Sequence, residues 1–275
     1  VVRRAAKLYA QSFDSRWGGF GRAPKFPTAH NLIFLLRYAG RTGEDRARAM
    51  AEQTLEGMYR GGLFDHVGGG FARYATDERW LVPHFEKMLY DNALLALAYP
   101  EACQLPRRPL YGEIARRTLD YVLRELTGPQ GGFECGQDAD SEGVEGKYYV
   151  FTDRELKDLL GPEDADVFCR WYGVTRQGNF EGGNILNLIH QEQVEREPER
   201  VSRLRENVYA YRLGWTRLHK DDKVLAAWNG LMIAAMSRAG LALDEPRYLD
   251  AAKTAQRFLD THLSDENGLY VSFRE

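Results

Sequence analysis

The feature that most constrains the fold of this chain is an alternation between two kinds of helical segment. In one kind, apolar residues surround most of the helix; in the other, they form a single stripe. A helix that is apolar on all sides must be covered by other elements, whereas a striped helix can lie outside it. The sequence therefore predicts repeated pairs of one inner and one outer helix.

The predicted inner helices are residues 31–39, 85–99 and 224–239, and the predicted outer helices are residues 45–60, 113–126 and 248–263. Turns of glycine followed by an apolar residue recur at Gly18, Gly61, Gly131 and Gly268, the last three at one and two intervals of about 70 residues. Strand patterns are short, at residues 147–152 and 269–273. We expect an all-α chain of roughly ten helices, forming an incomplete (α/α)6-type toroid with short β-hairpins on one rim. An open solenoid is the alternative, but its repeats usually span about 33–47 residues.

Composition argues against several classes of function. The 275 residues are 44% hydrophobic and 28% charged, as in an ordinary soluble protein. A net charge of -3 without a basic stripe argues against nucleic acid and anionic membranes as partners. The cysteines Cys103, Cys135 and Cys169 form no CxxC pair, and their low, odd number is typical of a cytoplasmic protein.

Titratable and aromatic residues are concentrated between Gly61 and Ala93. Pro83 suits the first position of a helix, and a helix beginning there would place His84, Lys87, Met88 and Asp91 on one face. Such a density of polar groups at the start of a buried helix predicts a pocket rim. The simpler alternative is a helix N-terminus with a solvated lysine–aspartate pair.

The candidate residues form two groups. The catalytic candidates are His84, Glu86, Asp91, Asp65, His66, Asp138, Asp140 and Asp222, and the substrate-binding candidates are Lys87, Tyr90, Trp17, Trp80, Glu145, Tyr149, Trp228 and Asn229. Asp222 could instead be an N-cap, and Trp228 a core residue. We expect no metal, because the loop from Asp138 has a tyrosine where a calcium loop needs glutamate, and no cofactor, because no GK[ST] follows the glycines of residues 179–186.

Five stretches of the sequence resemble the YyaL/spermatogenesis-associated protein 20-like family: residues 23–38, 61–95, 138–152, 179–186 and 221–235. The resemblance implies an α/α toroid similar to those of N-acylglucosamine 2-epimerases and six-hairpin glycosidases. It also implies a thioredoxin-like domain upstream of that toroid. Residues 1–275 would then be a fragment that carries most of the toroid, without the upstream domain.

Two classes of function fit these residues: an enzyme that acts on sugars and a non-catalytic binding module. A sugar isomerase or epimerase moves a proton next to a carbonyl and needs a base and a second acid, whereas a glycosidase, the less favoured enzyme, needs two carboxylates about 5–10 Å apart. His84 is the first candidate for proton transfer, because a helix N-terminus would keep its imidazole neutral. The alternative is a non-catalytic module that binds a sugar-like ligand or a peptide for the upstream domain.

Overall fold

The computed structural model describes residues 1–103 and 108–274. The helices of this part are α1 (Val2–Ser12), α2 (Ala29–Thr42), α3 (Asp45–Arg60), α4 (Leu89–Cys103), α5 (Pro109–Glu125), α6 (Asp153–Leu160), α7 (Pro162–Trp171), α8 (Glu199–Trp215), α9 (Ala226–Ala242) and α10 (Pro246–His262). The strands have two residues each: β1 (Lys87–Met88), β2 (Gly136–Gln137), β3 (Asp140–Ser141), β4 (Val144–Glu145), β5 (Val150–Phe151), β6 (Asn184–Ile185), β7 (Lys220–Asp221), β8 (Val224–Leu225), β9 (Ser264–Asp265), β10 (Gly268–Leu269) and β11 (Ser272–Phe273). Within the described ranges, no helix is long and apolar enough to cross a membrane.

The helices form inner and outer pairs, as predicted. The inner helix α4 packs against the inner helices α2 and α9, while α3, α5 and α10 pack on α2, α4 and α9 respectively. The predicted stripe of α3 is its buried face: Ala47, Met50, Ala51, Thr54, Leu55 and Met58. Helix α9 has apolar residues on all sides, which predicts that other elements cover it completely. It is covered only in part, because Ala227, Gly230 and Ala234 are exposed. The all-α toroid-type arrangement of helical hairpins is confirmed.

Helices α6, α7 and α8 form an insertion between the second and third pairs. They pack against one another, and Phe168, Tyr172 and Val208 of this insertion belong to the same buried cluster as Leu32 and Met58 of the first pair. The insertion occupies the part of the chain near residue 200 in which the glycine turn of the repeat is missing. It therefore extends the core of the first pair.

Two inner helices begin later than predicted. Helix α4 begins at Leu89 instead of residue 85, or residue 83 if Pro83 were its first position, and α9 begins at Ala226 instead of residue 224. In both cases the preceding residues are in strands: β1 pairs with β2, and β8 pairs with β11. Cross-strand hydrogen bonds thus take the backbone groups that a longer helix would have used. The predicted strand at residues 147–152 is likewise reduced to β5, which pairs with β6.

The turn after α1 and the turn after α3 have the same backbone hydrogen bonds. The amide of Asp14 donates to Gly19 O (3.0 Å) and that of Gly18 donates to Asp14 O (2.8 Å). In the later turn, the amide of Asp65 donates to Gly70 O (3.0 Å) and that of Gly69 donates to Asp65 O (2.8 Å). All four glycines, Gly18, Gly19, Gly69 and Gly70, have φ between 73° and 85°, where a side chain is disfavoured.

A buried lysine closes each of these turns. Lys25 Nζ donates to Asp14 Oδ2 (2.5 Å) and Gly18 O (2.7 Å). Lys87 Nζ donates to Asp65 Oδ2 (2.8 Å) and Gly69 O (2.7 Å). We call this repeated arrangement the Asp–Lys turn. Because it occurs in two successive repeats with the same atoms, it is part of the architecture of the repeat.

A second repeated contact fixes the starts of α4 and α9. Asn92 Oδ1 accepts from the amide of Phe71 (2.8 Å), and its Nδ2 donates to Phe71 O (3.0 Å) and Met88 O (2.9 Å). Asn229 makes the same three bonds, with the amide of Phe133 (2.8 Å), Phe133 O (2.8 Å) and Leu225 O (3.1 Å). Each asparagine therefore ties an inner helix to the glycine turn that follows an outer helix.

Candidate active site at the start of the inner helices

The segment before α4 is extended, so its side chains alternate between two faces. Phe85 and Lys87 are buried, whereas His84 and Glu86 are partly exposed. The predicted helical face of His84, Lys87, Met88 and Asp91 is therefore wrong: His84 shares a face with Glu86, and Lys87 points into the core. The dipole of α4 is also no longer a reason for His84 to be neutral, because the helix begins five residues later.

His84 lies at the end of three stacked aromatic rings. Phe26 stacks on Tyr74 (4.8 Å between ring centroids), and Tyr74 stacks on His84 (5.0 Å). Phe26 is 48% exposed, so the outer ring is open to a ligand. His84 Nδ1 also lies 3.0 Å from Glu145 Oε1 of β4. We call Phe26, Tyr74 and His84 the aromatic ladder.

Next to the ladder is a group of polar residues that we call the rim cluster: Arg73, Glu86, Tyr90, Asp91 and Trp228. Arg73 Nη1 donates to Glu86 Oε2 (3.1 Å), and Arg73 Nε donates to the Tyr90 hydroxyl (3.1 Å). The ring of Tyr90 meets that of Trp228 edge to face at 4.7 Å. The backbone joins the ladder to the cluster, since the amide of His84 donates to Tyr74 O and the amide of Arg73 donates to Glu86 O.

Asp91 is the least satisfied carboxyl group of the rim cluster. Its Oδ2 is buried and has no hydrogen-bond partner among residues 1–103 and 108–274. Burial raises the pKa of Asp91 to about 7, although Tyr90 and Arg73 favour the ionised form. A carboxyl group with this pKa can either donate or accept a proton near neutral pH.

Asp65 and Lys87 lie beneath the rim with Arg212 of the insertion. Arg212 binds Asp65 through both oxygens, at 3.0 Å and 2.9 Å. Burial would raise the pKa of Asp65, but Arg212 and Lys87 outweigh it and hold this pKa well below its ordinary value. Burial lowers the pKa of Lys87 to about 8. Lys87 also lies over the rings of Tyr121 (4.3 Å) and Tyr149 (5.1 Å).

His66 and Tyr149 belong to the protein core. Burial and the nearby Arg117 lower the pKa of His66 to about 3, so its imidazole is neutral. His66 Nε2 lies 3.1 Å from Gly61 O, and Phe85 stacks on Tyr149 at 5.5 Å. Both residues line a small cavity of about 20 Å³, close to the space that one water molecule needs. This cavity is too small for a sugar.

The other predicted residues lie in several different places. Trp80 is fully buried, and its Nε1 donates to Trp17 O (3.0 Å), so its ring cannot serve as an open platform. The amide of Asn229 is used by the backbone contacts described above. Trp17 lies in a groove beside α3, with residues that are not part of the rim cluster.

The loop of residues 138–145 and the start of α9 meet the start of α4 through the sheet of β1, β2 and β7. This sheet brings together three stretches that supply candidate residues, 84–91, 138–145 and 222–229, but it leaves most of their carboxylates in solvent. Asp138 and Asp140 are exposed. Asp222 pairs with Arg274 (2.8 Å) and is not an N-cap, because the residue before α9 is Leu225.

Sequence reasoning missed four residues of this region: Phe26, Arg73, Tyr74 and Arg212. Phe26 lies in the motif APKFPT and Arg73–Tyr74 in GGGFARYAT, so both motifs held the signal, an aromatic residue next to a cation close to the predicted pocket. Arg212 could not be found in this way, because 147 residues separate it from its partner Asp65.

Comparison with known proteins identifies relatives by sequence and solved structures of similar fold. No family model matches the chain. Human spermatogenesis-associated protein 20 is 38% identical over 96% of this chain and 38% of its own length, and an uncharacterized protein of Caenorhabditis elegans is 32% identical over 94% of this chain and 40% of its own length. A family 76 glycoside hydrolase (mannosidase) from Bacteroides thetaiotaomicron aligns with a TM-score of 0.50 at 13% identity, covering 90% of this chain and 48% of that one. A sugar epimerase from a ruminal bacterium scores 0.45 at 12% identity, covering 98% of this chain and 89% of that one.

The pairs of inner and outer helices, with polar residues gathered where the inner helices start, define an α/α-toroid protein of the six-hairpin type. The glycoside hydrolase match supports this fold alone. Within that class, the chain belongs to the spermatogenesis-associated protein 20 family. It spans about 38% of the length of the human relative.

Proposed function

We propose that the rim cluster and the aromatic ladder bind a sugar-like ligand and move a proton next to its carbonyl group. Asp91 carries this proposal: its Oδ2 is buried without a hydrogen bond, its pKa is raised to about 7, and it lies beside Arg73 and Glu86. A group that is half ionised near neutral pH can both remove and return a proton. The family 76 glycoside hydrolase of the same fold is consistent with this choice of ligand.

In the proposed step, one group removes the proton from the carbon next to the carbonyl, which gives an enediolate. The same proton or another one then returns to either face of that carbon or to its neighbour, so that the sugar is epimerised or isomerised. Asp91 exchanges this proton, with Glu86 or the His84–Glu145 pair as the second group. The guanidinium of Arg73 stabilises the negative oxygen, and the open face of Phe26 provides a surface for the sugar ring.

The test is solvent deuterium exchange into glucose, mannose and N-acetylglucosamine, followed by proton NMR in D₂O. We expect exchange at the carbon next to the carbonyl, reduced about 10²–10⁴-fold by Asp91→Asn and by His84→Ala, the usual range for general acid–base groups. His30→Ala, which removes an exposed histidine of α2, is the control and should leave the rate unchanged.

Binding of one of these sugars without exchange, unaffected by either substitution, would overturn proton transfer. It would favour the second function, a non-catalytic module that binds a sugar or a peptide. The stacked rings of Phe26 and Tyr74 favour this alternative, because the exposed ring of Phe26 can bind a ligand by contact alone. In the whole protein, such a module would serve the thioredoxin-like domain that the family resemblance implies.

A further inference from the structure

A second cavity lies along the outer side of α3 and is separate from the rim cluster. Its volume is about 450 Å³, within the range of small-molecule sites. Four arginines and two glutamates line it: Arg16, Arg60, Arg79, Arg108, Glu52 and Glu56. Trp17 forms part of its wall. We call this cavity the α3 groove.

Two of the four arginines are already neutralised. Arg60 Nη2 lies 2.8 Å from Glu56 Oε1, and Arg108 Nη1 lies 3.0 Å from Glu56 Oε2. Arg108 also pairs with Glu195 outside the groove. These contacts fix the position of Glu56 and leave its carboxylate little capacity to repel a bound anion.

The other two arginines have no such partner. Arg16 and Arg79 are exposed, and within residues 1–103 and 108–274 no carboxylate lies within 4 Å of either guanidinium. The guanidinium of Arg16 lies 5.1 Å from the centre of the Trp17 ring, a cation–π contact that orients it. The groove therefore presents two unpaired cations next to an aromatic side chain.

Glu52 adds an acceptor that makes no hydrogen bond. Its Oε1 is buried, has no hydrogen-bond partner in the described part of the chain, and lies 4.0 Å from Arg48 Nε, beyond hydrogen-bond distance. Burial raises the pKa of Glu52. A buried acceptor without a hydrogen bond is destabilising, so a hydroxyl donor from a ligand would be favoured there.

We propose that the α3 groove binds a phosphate monoester of a polyhydroxy compound, a site distinct from the rim cluster. Arg16 and Arg79 bind the phosphate, because planar guanidinium groups match its oxygens with paired hydrogen bonds. Trp17 packs beside the carbon skeleton, and Glu52 accepts a hydrogen bond from a hydroxyl group. The carboxyl group of Glu52 disfavours an acidic peptide, which would bring further carboxylates to the same position.

Isothermal titration of the protein with glucose 6-phosphate, glucose and inorganic phosphate tests this site. We expect glucose 6-phosphate to bind more tightly than either of the other two. Arg16→Gln and Arg79→Gln should each weaken it about tenfold, the effect of losing a hydrogen bond to a charged group. Arg154→Gln is the matched control, because Arg154 of α6 is 92% exposed and lies outside the groove. The affinity of this variant for glucose 6-phosphate should stay within twofold of that of the wild type.

Glu52→Ala tests the contact with the hydroxyl group separately from the contact with the phosphate. It should weaken the binding of glucose 6-phosphate without weakening the binding of inorganic phosphate. Equal thermal midpoints of all variants show that they are folded. Equal affinity for glucose 6-phosphate and inorganic phosphate would overturn the proposal. Arginine variants that bind as the wild type would also overturn it, as would tighter binding of a polyglutamate peptide. None of these outcomes depends on sugar exchange at the rim cluster.

Discussion

Asp91 and Asp65 show how different surroundings give two carboxyl groups opposite properties. Asp65 meets two buried cations and stays ionised. Asp91, separated from it by a short segment of sequence, has no comparable partner, and burial dominates its pKa. The first is suited to holding the structure together, and the second is suited to exchanging protons.

The raised pKa of Asp91 predicts a pH-dependent stability. A folded-state pKa of about 7 against an ordinary value of 3.8 means that the folded protein binds this proton more tightly than the unfolded chain. The stabilisation of the folded state by this proton is fully present below about pH 4 and is lost as the pH rises through 7. The folded–unfolded difference corresponds to about 4 kcal/mol. Urea unfolding of wild type and Asp91→Asn between pH 4 and 8 measures it.

We expect the wild type to lose stability relative to Asp91→Asn as the pH rises, because the amide does not titrate. Parallel stability curves for the two proteins over this range would show that Asp91 has an ordinary pKa in the folded state. That result would also remove the main support for its role as a proton carrier.

Replacing Arg212 should destabilise the protein more than replacing an ordinary surface arginine. Replacing it by methionine leaves Asp65 with Lys87 as its remaining cation in a buried site, and removing one partner of a buried pair typically costs about 3–5 kcal/mol. Thermal and urea unfolding of Arg212→Met measure the loss. Arg170→Met, which breaks the exposed pair with Asp166, should cost less than about 1 kcal/mol. Similar losses for both variants would contradict the structural role of the buried group.

At the scale of elements, the Asp–Lys turn predicts matched effects in two repeats. Lys25→Met and Lys87→Met each remove a buried lysine from an aspartate and a turn carbonyl. Each should lower the free energy of unfolding by about 3 kcal/mol or more. Lys157→Met, which loses a half-exposed pair with Asp153, is the control and should change it by less than about 1 kcal/mol.

If Lys87 acted as a reacting group instead, Lys87→Met would abolish activity at unchanged stability, and Lys25→Met would not reproduce its effect on stability. The comparison of the two repeats therefore distinguishes a structural lysine from a catalytic one. A single substitution at either position could not do so.

The starts of α4 and α9 could not be predicted from local sequence. Pro83 is compatible both with the first turn of a helix and with the extended segment that the structure contains. The choice depends on β2, which pairs with Lys87 and Met88 from about 50 residues away. Helix bodies were predictable because the apolar pattern within each helix is local, as in the stripe of α3.

For the whole molecule, the alternation of inner and outer helices was sufficient to predict the fold class. The candidate site was predictable in part: Glu86, Tyr90, Asp91 and Trp228 lie together with Arg73, which the sequence reasoning missed. The residues that proved to be core, such as Trp80 and His66, have the same chemistry in the sequence as residues of a binding site. Only the tertiary packing around them distinguishes the two.

The most direct test of the central claim is a crystal structure of the protein with a bound sugar substrate or product. We predict density for the sugar ring against the open face of Phe26, with the carbonyl end within hydrogen-bond distance of Arg73 and the adjacent carbon facing Asp91. A sugar bound elsewhere at full occupancy, with the ladder and rim cluster unchanged and empty, would contradict the proposal that this face is the functional site.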